Sequence, residues 1–118
     1  IQLLYRLKQT RNLSIIFTSH NISLVAELCG RIIVMYGGKI MESGTSREIF
    51  GNSRHPYTKA LIDSSPRFGT HCTEERLRAI DGKSFNPAEY KGGCPFAPRC
   101  PVAEKKCSEG ETECPHCK

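Results

Sequence analysis

The feature that most constrains this chain is a cluster of cysteines near its C-terminus. The sequence has seven cysteines in 118 residues, and residues 94–117 contain Cys94, Cys100, Cys107, Cys114 and Cys117. A secreted protein would use such a cluster for disulfides, but residues 1–11 lack the ordered regions of a secretory signal. The cluster is therefore interpreted as a set of metal ligands.

The spacing of these cysteines, C-x5-C-x6-C-x6-C-x2-C, bears on which metal they bind. A tetrahedral zinc ion and a four-iron cluster each need about four thiolates. Zinc sites usually contain ligand pairs about two to four residues apart, and only Cys114 and Cys117 form such a pair. The wider spacings favour a [4Fe-4S] cluster, with zinc as the alternative and metal-free thiols as a third.

The N-terminal segment predicts a helix followed by a buried strand. In residues 1–11 apolar side chains recur every three or four positions, as in an amphipathic helix, and the absence of a start methionine or N-cap leads us to expect further chain upstream. Residues 13–18 form a continuous apolar and β-branched run, which predicts a parallel strand buried on both faces. This strand would end at Thr18-Ser19-His20, the end at which parallel sheets present their chemistry.

The next segment predicts a helix and a β-hairpin. Asn21 is placed to cap a helix that Gly30 ends. Residues 31–36 and 39–43 predict two strands, which Gly37-Gly38 can join because glycine readily adopts positive φ.

Two short helices are predicted after the hairpin. Thr45 and Glu48 have the spacing of a capping box. His55-Pro56 starts the second helix, with proline in the first turn, and Tyr57 is expected to pack rather than to contact a ligand. These elements define an α/β fold class.

From residue 67 onward the composition changes toward Gly, Pro, Cys and charged residues. So few aliphatic side chains remain that this part is expected to be small and irregular. Such a segment needs a metal or a neighbouring surface to order it.

Two segments are candidates for phosphate binding. Gly82-Lys83-Ser84 has the last letters of a phosphate-binding loop, but Leu77 stands where the first glycine is required, so this candidate is rejected. His20 is the better candidate, because an imidazole beyond a buried strand can hold a terminal phosphate or an attacking water. An ordinary loop histidine is the alternative.

A family resemblance strengthens the interpretation of His20. The segments that carry it are Ser14-Ile15-Ile16-Phe17-Thr18-Ser19-His20-Asn21, Val25-Ala26-Glu27 and Arg31-Ile32-Ile33-Val34-Met35-Tyr36-Gly37-Gly38-Lys39-Ile40-Met41-Glu42-Ser43-Gly44. Together they resemble the switch-histidine region of ABC-transporter ATPases. The resemblance implies that His20 contacts the γ-phosphate of ATP.

A second resemblance narrows the subfamily. Ile49-Phe50, Arg54-His55-Pro56-Tyr57-Thr58-Lys59-Ala60-Leu61 and Gly93-Cys94-Pro95-Phe96-Ala97-Pro98-Arg99-Cys100-Pro101 are similar to the extension of oligopeptide, dipeptide and nickel importer ATPases. The resemblance implies that residues 1–52 end an ABC-type nucleotide-binding domain and that residues 53–118 form the importer extension, with a cysteine-rich tail at 94–117.

The resemblance also implies cofactors and partners. ATP with Mg²⁺, a second ATPase subunit and transmembrane permease subunits are expected, at the cytoplasmic face of the cell membrane. Because this sequence lacks a phosphate loop, we do not expect it to hydrolyse ATP alone. A [4Fe-4S] cluster would use Cys94, Cys100 and Cys107, with Cys114 and Cys117 competing as the fourth ligand.

Two alternatives stay open from the sequence. The chain could be an independent zinc- or iron–sulfur-stapled interaction module that binds nucleic acid, although its net charge of +5 is scattered rather than gathered in a stripe. It could also be a non-transport relative of the ATPases with a structural role only. We expect no nucleic-acid partner.

Overall fold

The computed structural model describes residues 2–65, 79–110 and 114, and an antiparallel β-hairpin organises them. Strand β1 comprises Arg31–Tyr36 and strand β2 comprises Lys39–Thr45. The turn uses Gly37 and Gly38 at φ values of 55° and 78°. Two consecutive positive φ values give the turn a twist that matches its strands, so the predicted hairpin is confirmed.

The strand pairing shifts by one residue near the middle of the hairpin. Val34 lies opposite Glu42, whereas the next residue, Met35, lies opposite Ile40. Met41 is therefore the extra residue of a β-bulge on β2.

One α-helix begins the described chain, a second precedes the hairpin directly, and two more follow it. The described α-helices are α1 (Gln2–Arg11), α2 (Ile22–Leu28), α3 (Ser46–Asn52) and α4 (Pro56–Asp63), and three short 3-10 helices follow at Pro87–Glu89, Ala97–Arg99 and Lys105–Cys107. None of the helices within the described ranges has the length and apolar character needed to cross a bilayer.

The predicted helix caps are present. The side chain of Asn21 accepts a hydrogen bond from the Leu24 amide at 3.1 Å and so starts α2. Thr45 and Glu48 form both halves of a capping box at α3. His55 caps α4, and Pro56 occupies its first turn.

The core lies on one face of the hairpin. Ile32 and Val34 of β1 are each 5% exposed and contact Ile49 of α3. Partly buried side chains from α2, α3 and α4 pack around them: Val25, Cys29, Phe50, Tyr57, Leu61 and Ile62. Alternate residues of β1 point away and are exposed, so the hairpin buries one face only.

The predicted buried strand over residues 13–18 is not formed. These residues are not in a strand, and Ile16 is 97% exposed. A parallel strand needs a neighbour to satisfy its backbone hydrogen bonds, and the described residues supply strands only in the antiparallel hairpin. This part of the sequence-based prediction is therefore wrong for the chain as described.

Residues 79–110 pack against the hairpin and α4 through aromatic side chains. Phe96 is 1% exposed, and its ring centroid lies 5.5 Å from that of Tyr36 and 5.1 Å from that of Tyr57. Phe85 approaches Tyr36 edge-on at 6.0 Å. The hairpin and α4 thus supply the neighbouring surface that this segment was expected to need. The contact is made by aromatic side chains, which the sequence analysis overlooked because it considered only aliphatic residues.

Arg99 ties the extension to itself and to the hairpin. Its guanidinium donates hydrogen bonds to the carbonyl oxygens of Ile80 and Asp81 and to the Tyr36 hydroxyl, at 2.5, 2.8 and 3.1 Å respectively. A Cβ on Gly82 would lie 3.2 Å from Arg99 Cγ. Gly82 therefore allows the Arg99 side chain to pack closely against the backbone. This role agrees with the rejection of Gly82-Lys83-Ser84 as a phosphate-binding loop.

A buried hydroxyl on α4 generates a stability prediction. Thr58 is 0% exposed, and its Oγ1 has no hydrogen-bond partner within the described residues. Thr58→Val should raise the free energy of unfolding by about 1 kcal/mol, because it removes an unsatisfied polar atom while keeping the side-chain shape.

Thr58→Ser is the matched control for this change. It keeps the hydroxyl and loses the methyl group, so it should lower the free energy of unfolding by roughly 1 kcal/mol. Chemical denaturation followed by circular dichroism measures both values. A valine variant less stable than the wild type would show that Oγ1 has a partner after all.

Candidate functional sites

His20 lies in the bend between segment 12–19, which is neither helix nor strand, and α2. The Ser19 hydroxyl accepts a hydrogen bond from the Asn21 amide at 3.0 Å, and Asn21 caps the helix, so both neighbours of His20 are fixed. The His20 side chain itself is exposed. Its imidazole is therefore accessible to a ligand from outside the described residues.

His20 lines an open groove of about 1020 Å³. The groove is walled mainly by apolar residues of α1, segment 15–20, α2, β1 and α4. None of the described tail cysteines lines it. The structure thus places the two predicted sites, the histidine and the cysteines, in separate surroundings.

Gly93 brings Cys94 and Cys107 together. The Cys94 amide donates to the Cys107 carbonyl at 2.7 Å, and a Cβ on Gly93 would lie within 2.4 Å of that same oxygen. The Gly93 carbonyl in turn accepts from the Tyr90 hydroxyl at 2.6 Å and from Lys39 Nζ at 3.4 Å. Only glycine fits here, because both the close approach and its φ of 77° exclude a side chain.

Backbone amides point at the cysteine sulfurs. Burial raises the pKa of the Cys94 thiol, and hydrogen bonds from the backbones of Phe96 and Ala97 oppose part of that rise. The pKa of Cys100 is likewise raised by burial, with an opposing hydrogen bond from the Val102 backbone. The Glu104 amide donates to Cys107 Sγ at 3.5 Å. Such amides stabilise thiolates and sulfur-bound metals.

The structure gathers several of the predicted metal ligands in one region. The thiols of Cys107 and Cys114 are close enough to raise the pKa values of both Cys94 and Cys100. Within the described ranges, however, no three His, Cys, Asp or Glu side chains already stand at metal-binding distances. Cys117 lies outside the described residues.

The donor set suits a soft metal. All the described tail cysteines are free of disulfides, and thiolates are the ligands that zinc and iron–sulfur clusters share.

One residue of this region was missed by the sequence analysis. His55 was assigned only to helix initiation, yet its ring is 2% exposed and its Nε2 lies 4.0 Å from Cys94 Sγ. The two residues are 39 positions apart, so no local spacing could have linked them. Burial of a polar ring beside a cysteine is visible only in the folded chain.

Glu42 holds the segment that carries His55. Its carboxylate oxygens accept hydrogen bonds from the backbone amides of Arg54 at 2.8 Å and His55 at 3.1 Å. A carboxylate at the start of α4 also complements the helix dipole. The hairpin therefore fixes the position of His55 relative to the tail.

Comparison with known proteins places the chain in a family. The family described as "Oligopeptide/dipeptide transporter, C-terminal region" matches residues 41–107, which is more than half of the chain. The chain belongs to this family. The matched span contains residues 41–45 of β2, all of α3 and α4, and the first three tail cysteines.

Curated relatives extend the similarity toward the N-terminus. A protein of Brucella ovis named as a peptide import ATP-binding protein is 41% identical over 112 residues, which cover 91% of this chain. The dipeptide transport ATP-binding proteins DppD of Haemophilus influenzae and of Escherichia coli are each 39% identical, over 98% and 94% of this chain. The aligned region is 33%, 34% and 33% of these relatives, so the chain spans about a third of their length.

The close approach at Gly93 generates a prediction with a neighbouring control. Gly92→Ala should lower the free energy of unfolding by about 1 to 2 kcal/mol, because Gly92 has a φ of 120° but open space around it. Gly93→Ala should cost roughly 2 kcal/mol more, since the methyl group also collides with the Cys107 carbonyl.

Urea denaturation followed by tyrosine fluorescence measures both costs. Equal losses in the two variants would argue against a special role for the Cys94–Cys107 approach.

Proposed function

We propose that this chain is the C-terminal part of the ATP-binding subunit that powers peptide import in an ABC transporter. The observation that carries the proposal is the family membership, together with relatives named for peptide or dipeptide transport that align over nearly the whole chain. Residues 1–52 would end the nucleotide-binding domain and residues 53–118 would form the importer extension. Because α4 packs into the hairpin core, the two parts form one body here, which disfavours an independent interaction module.

In this proposal His20 contacts the γ-phosphate of ATP and couples its presence to closure of an ATPase dimer. Its accessible ring at the rim of the groove supports the role. The phosphate loop and Mg²⁺ ligands would come from other parts of the subunit. In the complete nucleotide-binding domain, strands from other parts of the subunit would pair with residues 13–18 and cover their exposed apolar side chains. The predicted buried strand would then form.

The proposed partners are a second ATPase subunit and transmembrane permease subunits, at the cytoplasmic face of the membrane. ATP hydrolysis would drive movement of the permease, while other subunits would select the cargo. A nucleic-acid partner is not part of the proposal, because the basic residues are interleaved with acidic ones along the chain.

We also propose a metal centre on Cys94, Cys100, Cys107 and Cys114, with Cys117 as the rival for the fourth position. Its support is the set of free thiols that influence one another electrostatically, together with amides aimed at three of the sulfurs. A [4Fe-4S] cluster is preferred over zinc because of the ligand spacing. Bound there, the cluster would offset the negative charge of the thiolates. It would also cross-link residues 94–117, a segment that has only a small aromatic core.

The histidine is tested by His20→Ala in the complete subunit. The turnover number for ATP should fall by about 100-fold or more, because a hydrogen bond to charge that develops in the transition state is lost. Steady-state ATPase assays with the assembled transporter give the value.

Ser19→Ala is the comparison variant, because it removes the hydroxyl that fixes a neighbour of His20 but keeps the imidazole. It should lower the turnover number less than His20→Ala does. Unchanged turnover in His20→Ala, or equal losses in both variants, would remove the proposed role of the imidazole.

The metal centre is tested by anaerobic purification of cysteine-to-serine variants with iron, sulfide and zinc analysis. Cys94→Ser, Cys100→Ser and Cys107→Ser should each lose most of the bound metal, because a cluster of this kind needs about four thiolates. Cys29→Ser is the control, as Cys29 packs against the hairpin core.

Comparison of Cys114→Ser with Cys117→Ser then identifies the fourth ligand. Iron with equimolar sulfide supports the cluster, and zinc alone supports the alternative. A folded wild-type protein without either metal would exclude both centres.

A further inference from the structure

We propose that His55 is a positioning residue for Cys94, to whose sulfur its Nε2–H group donates a hydrogen bond. The two atoms lie 4.0 Å apart, and the imidazole is almost fully buried. Neither the family match nor the names of the relatives assign a role to this histidine. The proposal deepens the metal centre proposed above, although the hydrogen bond itself belongs to the chain without metal.

The cap of α4 determines which ring nitrogen carries the proton. Nδ1 of His55 accepts the backbone amide of Tyr57 at 3.0 Å, so Nδ1 must be unprotonated. A neutral imidazole then carries its single proton on Nε2. That nitrogen is the one that faces Cys94 Sγ.

The surroundings hold the ring in this orientation. Glu42 accepts the amide of His55 at 3.1 Å and thereby fixes the backbone from which the ring projects. The ring of Phe96 lies 6.2 Å away, centroid to centroid, and packs beside the imidazole. A buried ring with one nitrogen engaged by the helix has little freedom to turn its other nitrogen away from the sulfur.

The hydrogen bond would act on whatever the sulfur binds. A thiolate on a metal keeps lone pairs that accept N–H donors, and these donors stabilise its negative charge. In iron–sulfur proteins such donors raise the reduction potential, because the reduced cluster carries the greater negative charge. His55 thus links the start of α4 to the metal centre across the fold.

His55→Asn separates the two functions of this side chain. Asparagine is among the best N-cap residues, so its Oδ1 can accept the Tyr57 amide and keep α4, but it is too short to reach Cys94. His55→Ala removes both the cap and the donor. If the ring acts on the sulfur, both variants should lose the same property of the metal site, whereas only alanine should lose helix stability.

The experiment uses the complete protein reconstituted with iron and sulfide, and in parallel with zinc. In both variants we expect about tenfold or greater weakening of metal retention against a chelator. With the cluster loaded, the reduction potential should shift to more negative values. Retention and potential equal to wild type in His55→Asn, with losses confined to His55→Ala, would reduce His55 to a helix cap and overturn the proposal.

A measurement on metal-free protein tests the hydrogen bond independently of the centre. Nitrogen-15 NMR of labelled histidine should show His55 protonated at Nε2, with a resonance that changes in Cys94→Ala but not in Cys29→Ala. Protonation at Nδ1, or no response to the loss of Cys94, would overturn the inference. If wild-type protein binds no metal, the proposed centre fails, and this measurement alone decides the role of His55.

Discussion

The contact on which the rest of the structure depends is the packing of Phe96 against Tyr36 and Tyr57, whose own ring centroids lie 4.7 Å apart. It joins β1, α4 and residues 79–110 in one apolar contact, and Phe96 is among the most deeply buried side chains described. Large aromatic rings bury much surface each, so a segment poor in aliphatic residues can still be held in place. Cys94 is two residues from this ring, and its position follows from that of Phe96.

Hydrogen bonds fix the orientation of residues 79–110 relative to the hairpin, in addition to the apolar packing of Phe96. Arg99 connects the Tyr36 hydroxyl with two carbonyls of the extension, and the carbonyl of Gly93 receives Lys39 from the hairpin. Hydrogen bonds of this kind contribute about 1 kcal/mol each, but they fix orientation in a way that aromatic packing does not. The cysteine region therefore has a defined geometry relative to β1 and α4.

Local features of the fold could be predicted from the sequence, and non-local ones could not. The Gly37-Gly38 turn, the caps at Asn21 and Thr45 and the helix start at His55-Pro56 depend on neighbours within a few residues, and all are confirmed. The strand expected over residues 13–18 depends on pairing partners, which its own sequence does not contain. For the candidate sites, the clustering of the cysteines was readable from spacing, whereas the approach of His55 to Cys94 arises only from folding.

The single extra residue on β2 has an effect well beyond the hairpin. Were the pairing regular, Met41 would stand opposite Val34, and Glu42 would stand opposite Ile33 and share its solvent-facing side. With the bulge, Glu42 stands opposite the buried Val34 and reaches the amides of Arg54 and His55. The one-residue bulge thus decides on which face of the hairpin the Glu42 carboxylate lies. Through Glu42 it also decides how the start of α4 is held against the hairpin.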